Sequence, residues 1–263
     1  MSERKNILSE LVPSACPEAY EFLSTHDIEA MPPYALASAL VECDDALPMP
    51  KALFGFIRGL YLEAAAEGES AALNDLGTLY YCGRGCERDY KKAIEYYEAA
   101  ARQGSAQALE NLGYCHYYGR DVPVDYEKAF RCFIPGALEG RPAPLYKIGD
   151  MYRNGYFVEK DPEEAYRLYT RCLDLMTDAF APRAAGPVYL RVGECLLAGE
   201  GTDADPKKAL LAFQRAELFL YDMVSGGDDL YEESLRAAVE GQAAAREKLA
   251  AGIPKQMFDL NLQ

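Results

Sequence analysis

A unit of 36 residues recurs along this chain, and that period constrains the fold more than any other feature. Gly77, Gly113 and Gly149 are spaced by 113 − 77 = 36 and 149 − 113 = 36 residues, and Gly193 follows after 193 − 149 = 44. The same steps separate Gly83, Gly119, Gly155 and Gly199, then Asp89, Asp125, Asp161 and Asp205, then Ala93, Ala129, Ala165 and Ala209. One repeat therefore carries an insertion of 44 − 36 = 8 residues. A fixed period in this range marks a solenoid: one unit cannot bury its apolar face by itself, and stacked neighbours build a continuous core.

Each copy reads as two helices. Leu73, Leu76, Leu79 and Tyr80 form an apolar stripe at helical spacing, and the later copies place Leu112 and Cys115, Ile148 and Met151, Val192 and Cys195 in the same register. The glycines of the Gly77 row fall inside this first helix, where glycine costs up to about 1 kcal/mol relative to alanine. Close approach of a neighbouring helix is the expected reason. The Gly83 row sits where the helix stops, in the position suited to a left-handed cap. The Asp89 row is placed to N-cap the second helix, with proline following at Pro162 and Pro206, and Asp161 with Glu164 has capping-box spacing. The second helix is expected to bury a small–large–small set: Ala93, Tyr97, Ala100; Ala129, Phe133, Gly136; Ala165, Tyr169, Cys172; Ala209, Phe213, Ala216.

Outside these copies, A-A-A-E-G at 64–68 matches the end of the first clear repeat, and 104 − 68 = 36, so residues 33–68 read as a degenerate repeat. The expected organisation is a helical cap and degenerate repeat over 1–68, four repeats over 69–223, and a capping helix with a tail over 224–263. The insertion, at about 173–187, is expected to lengthen the second helix of the third repeat before Pro182 and then to loop to Pro187.

The unit resembles the Sel-one-like repeat, a branch of the tetratricopeptide superfamily. The likeness rests on L-G-x-L-Y-x-x-G-x-G at 76–85, D-x-x-K-A at 89–93 and A-A-x-x-G at 100–104, and covers 70–221. It implies an all-α fold, a right-handed α-α superhelix of stacked antiparallel helix pairs, whose first helices line a concave face that holds partner proteins. By that geometry Tyr81, Tyr114, Tyr117, Tyr118, Tyr146, Asp150, Arg153 and Asn154 are the candidate partner-binding residues. Tyrosine and arginine are favoured at binding hot spots. Some members of the family are secreted and rich in disulfides, but the cysteines here do not recur at one spacing, and that feature is not carried over.

Composition narrows the function. A formal net charge of −15 argues against a nucleic-acid backbone as partner. The most apolar window, 53–66, is short and interrupted by Arg58 and Glu63, so no membrane span is expected. The N-terminus shows no apolar run with a cleavage site, and eight cysteines without an export signal suggest free thiols in a cytoplasmic protein. Cys82 and Cys86 have a spacing that zinc tolerates, yet Cys86 aligns with Val122 and Val158 and no second pair follows, so no metal or cofactor is expected. His116 occupies the position of Tyr80 and Tyr152, a core-edge place rather than a base. No nucleophile elbow, zincin motif or phosphate loop is present. The expected function is thus a non-enzymatic adaptor or scaffold that clasps a peptide or helix of another protein. The alternative is a hydrolase using carboxylates of the acidic groove. The tail, with Met257, Phe258, Leu260 and Leu262, is a further candidate for docking on this chain or for self-association.

Overall fold

The structure is a computed structural model and describes residues 3–12, 17–42, 51–176, 182–227 and 229–251. The tail and its apolar residues lie outside that set. Among the described residues there is no strand. The helices are α1 (Glu3–Leu11), α2 (Pro17–Thr25), α3 (Pro33–Glu42), α4 (Lys51–Ala66), α5 (Ser70–Cys82), α6 (Tyr90–Arg102), α7 (Ala106–Tyr118), α8 (Tyr126–Leu138), α9 (Pro142–Asn154), α10 (Pro162–Leu175), α11 (Pro182–Ala198), α12 (Pro206–Ser225) and α13 (Glu232–Ala251). They form two compact units, Met1–Cys132 and Phe133–Gln263. In the first, α3 packs on α4, α5 on α6 and α6 on α7; in the second, α9 packs on α10, α11 on α12 and α12 on α13. None of the described helices is long and apolar enough to cross a membrane.

The hairpin inside each repeat is made by the residues that recur. Gly83, Gly119, Gly155 and Gly199 adopt φ between 66° and 73°, a region that only glycine enters without strain. The next residue in each copy (Arg84, Arg120, Tyr156, Glu200) sends its N–H back to the carbonyl of Leu79, Cys115, Met151 or Cys195 at 2.9–3.0 Å. The four aspartates then cap the second helix, accepting from the N–H of Lys92, Lys128, Glu164 and Lys208 at 2.9–3.0 Å. Their own N–H groups donate to the carbonyls of Tyr80, His116, Tyr152 and Leu196 at 2.8–3.0 Å. That last bond changes the expectation at Asp161. The reciprocal half of a capping box is not made, because the Asp161 N–H is already taken by Tyr152, and the Glu164 carboxylate pairs with Arg167 instead.

Three glycines of the Gly77 row, Gly77, Gly149 and Gly193, face aromatic rings. A Cβ on Gly77 would stand 2.5 Å from Cε1 of Tyr97, one on Gly149 2.7 Å from Cε1 of Tyr169, and one on Gly193 2.8 Å from the Phe213 ring. The close approach is therefore made by the large residue of the small–large–small set, pressed flat on the bare backbone. Tyr169, Phe133 and Phe213 are among the largest fully buried side chains.

The insertion does not behave as the sequence suggests. α10 stops at Leu175, and the added residues instead extend the first helix of the fourth repeat backwards to Pro182, so that Pro187 lies inside α11. Gly186 supplies the reason: a Cβ there would meet Leu220 Cγ at 2.7 Å, so the extra turn lies directly on α12 and buries Ala184, Ala185 and Val188. Burial of that apolar surface outweighs the backbone hydrogen bond that Pro187 cannot make.

At the ends, α1 and α2 cover the first unit, with Leu8, Val12, Leu23 and Ile28 in one core with Leu36 and Leu40. The turn after α4 repeats the turn after α6: Gly68 and Gly104 have φ of 96° and 90°, and Glu69 and Ser105 donate to the carbonyls of Ala64 and Ala100. α13 closes the second unit by burying Ala238, Gln242 and Ala245, while Gly241 admits the Phe213 ring.

Candidate functional site

The last turn of α7 carries Tyr114, Tyr117 and Tyr118, and helical spacing brings their rings together. Tyr117 meets Tyr118 edge-on at 4.9 Å between centroids, and Tyr114 stacks with Tyr118 at 6.4 Å. Tyr117 also meets Tyr126, at the start of α8, at 5.6 Å. One repeat earlier, Tyr81 at the end of α5 meets Tyr90 at the start of α6 at 5.1 Å. Arg120 joins the two groups, its guanidinium 5.3 Å from the Tyr90 ring and 5.5 Å from the Tyr118 ring. Six tyrosines and one arginine thus form a continuous cluster where first helices end and second helices begin. Tyr118 is 46% exposed, whereas burial pushes the Tyr81 hydroxyl up to about 12 against the opposing charge of Arg120. The Nε of Arg120 is buried with no hydrogen-bond acceptor among the described residues.

Tyr81, Tyr114, Tyr117 and Tyr118 are four of the eight residues that the sequence placed on one face. Tyr90, Tyr126 and Arg120 were not anticipated. Two of them had a legible signal, since the pair Asp-Tyr recurs at 89–90 and 125–126 with the 36-residue step.

The other four candidates lie in the second unit, in a network of charge. Asp150 is 2% exposed, and its carboxylate accepts from Tyr169 Oη at 2.8 Å, Arg191 Nε at 2.8 Å and Lys147 Nζ at 3.3 Å. Burial works to raise its pKa, but the charges of Arg191 and Lys147 and these hydrogen bonds outweigh it and hold the carboxyl at about 2. Arg153 is bound to Glu194 and, at 2.8 Å, to Glu200, and Arg191 reaches Glu194 at 3.5 Å. Asn154 donates to the Asp150 carbonyl within its own helix at 2.7 Å. Tyr146 is buried, with the Lys147 ammonium 4.9 Å from its ring.

Lys147 and Arg191 are the partners that sequence reasoning missed. They share a register position with Asp75 and Asn111, a row that is polar in all four repeats. In the first unit that row also faces a neighbouring helix: Asn111 donates to Asn74 at 2.9 Å, and Asn74 to Asp75 at 3.1 Å. Stacked first helices are therefore held partly by polar contacts, and Lys147, at 3% exposure, is buried there with a counter-charge.

The thiols follow the packing expectation where the sequence made one. Cys115, Cys172 and Cys195 are buried, and burial pushes them up to about 12, 12 and 11. Cys86 lies half-buried with Sγ 3.7 Å from the Leu79 carbonyl. Among the described residues, no group of three or more His, Cys, Asp and Glu is placed to hold a metal ion.

The Sel1 repeat model matches residues 70–105, 106–140, 145–171 and 187–216. A Sel1 repeat protein from Oxalobacter formigenes is 20% identical over 94% of this chain and 99% of its own, with a TM-score of 0.59, a likeness that shows the fold. Other similar structures are c5321, a protective antigen of uropathogenic Escherichia coli strains with an SLR fold (16% identity, 88% and 67% covered, TM-score 0.47), and Pseudomonas aeruginosa 5086 (20%, 90% and 88%, 0.45). No curated protein matches the sequence. Four repeats in register, with caps, glycines and ring contacts that recur alongside them, make this chain a member of the Sel1 repeat family.

Proposed function

We propose that the chain is a protein-interaction scaffold whose first unit holds a peptide or helix of another protein against the tyrosine–arginine cluster. Sel1 repeat proteins are in general interaction scaffolds, and the fold is typically non-catalytic. The observation that carries the specific reading is the continuity of the six rings around Arg120 with a partly open edge at Tyr118. Tyrosine offers a large contact area at small rotamer-entropy cost and one hydroxyl for a hydrogen bond. Arg120 adds a cation fixed between two rings in a chain of net charge −15. The partner that suits this surface brings aromatic or aliphatic anchors together with at least one carboxylate.

In the second unit, Tyr146 and Asp150 contribute by holding α9 against its neighbours, and Arg153 is already engaged by two carboxylates. The cation offered to an acidic partner is therefore Arg120. The carboxylates of that network do not suit a general acid. A carboxyl held at about 2 does not donate a proton near neutrality, and Glu194 and Glu200 are tied to Arg153.

The test is selection of displayed peptides on the immobilised chain, followed by affinity measurement. Wild type should enrich sequences that combine apolar anchors with Asp or Glu. Tyr117→Ala/Tyr118→Ala should weaken a selected peptide by about 1–3 kcal/mol, roughly 5- to 150-fold in Kd, without lowering the melting temperature by more than a few degrees. Binding equal to wild type in that variant would place the site elsewhere.

A further inference from the structure

The outer face of α12 points to a second copy of this chain as its partner. The helix buries Ala209, Ala212, Phe213, Ala216 and Leu220 on one side. On the opposite side Leu211, Leu218 and Tyr221 are 55%, 61% and 61% exposed. At 100° per residue, Leu211 and Leu218 point directly away from the core, and Tyr221 lies beside them within an arc of about 80°. Leu211, Leu218 and Tyr221 are separated by steps of 7 and 3, the spacing of a helix-pairing seam. A chain of this length scatters single exposed leucines without consequence, but three large apolar residues in seam register make a surface for another helix.

The pattern on that stripe also says which helix. Leu211 and Leu218 are equidistant from the midpoint between Gln214 and Arg215, and so are Lys207 and Asp222. Two copies of α12 packed antiparallel about a twofold axis at that midpoint set leucine against leucine and ammonium against carboxylate. A two-fold contact must be self-complementary in this way, whereas a foreign partner imposes no such symmetry on the sequence. Lys207 and Asp222 are both exposed. The Lys207–Asp222 pair therefore determines the direction of the pairing. We infer that the chain forms a homodimer through antiparallel pairing of α12 with α12 of a second copy. One helix face is small beside the interfaces of permanent dimers, so the association is weak and reversible.

Sedimentation velocity on the full chain, from about 1 µM to 500 µM in low salt, reads this directly. The weight-average sedimentation coefficient should climb from monomer towards dimer across the series. Leu218→Glu should leave a monomer at every concentration, with an unchanged melting curve because the side chain is exposed. Lys207→Glu and Asp222→Lys should each weaken association about threefold or more, by setting like charges opposite one another. The double variant Lys207→Glu/Asp222→Lys should regain wild-type association, since the pairing then forms with the charges exchanged. A wild-type monomer throughout, association untouched by Leu218→Glu, or failure of the double variant to recover would each overturn the inference.

Discussion

The same substitution, glycine to alanine inside a helix, should act with opposite sign at two positions of the first unit. Gly59 lies in α4 with no heavy atom within 4 Å of the place its Cβ would take, so Gly59→Ala should gain the propensity difference, about 1 kcal/mol. Gly77 lies in α5, and its Cβ would stand 2.5 Å from Cε1 and 2.6 Å from Cδ1 of Tyr97. Those atoms belong to a ring that is 2% exposed, with its hydroxyl 3.4 Å from Thr78 Oγ1, so it has little room to retreat. Overpacking a filled core costs about 1–3 kcal/mol, which offsets the propensity gain of about 1 kcal/mol and leaves a net loss of up to about 2 kcal/mol for Gly77→Ala. Urea unfolding followed by circular dichroism should show the midpoint rising for Gly59→Ala and falling for Gly77→Ala, with unchanged slopes. In a Tyr97→Ala background the ring is gone, and Gly77→Ala should become stabilising by about 1 kcal/mol. If Gly77→Ala raises the midpoint as Gly59→Ala does, the glycine row is not kept open for the ring, and the reasoning fails.

Three further outcomes follow from the second unit and the thiols. Asp150→Asn removes the carboxylate that Lys147 and Arg191 share, leaving Arg191 its longer contact with Glu194, and should cost about 3–5 kcal/mol in urea unfolding, whereas Glu200→Gln, in a part-exposed pair, should cost about 1 kcal/mol or less. Because the folded pKa of Asp150, about 2, lies below its ordinary value of 3.8, its stabilising contribution is complete above that value and is lost as the pH falls towards 2. The wild-type urea midpoint should therefore drop more steeply over that window than the midpoint of Asp150→Asn. Iodoacetamide followed by mass spectrometry should label Cys82 and Cys86 in the native chain before Cys115, Cys172 or Cys195, which should react only on unfolding.

What the sequence by itself determined was the hairpin of each repeat, which is governed by short range along the chain. The hairpin of each repeat needs a residue at positive φ and an acceptor for the second helix's first N–H groups, and the Gly83 and Asp89 rows announce both. The stripe through Leu76 and Leu79 and the tyrosines at Tyr114, Tyr117 and Tyr118 follow from helical spacing in the same way. The tertiary structure decided what lies between repeats. Asp150 meets Arg191 across 41 residues, and Arg153 meets Glu200 across 47, distances at which no helical period links two side chains. Arg120 sits in a loop, and its guanidinium lies between Tyr118 of its own repeat and Tyr90 of the repeat before it, a contact across 30 residues that no local period announces. Pro187 shows the same division from the other side. Local rules end a helix before an internal proline, yet Gly186 lets α11 close onto α12, and packing of the added turn prevails over the preference of the single residue.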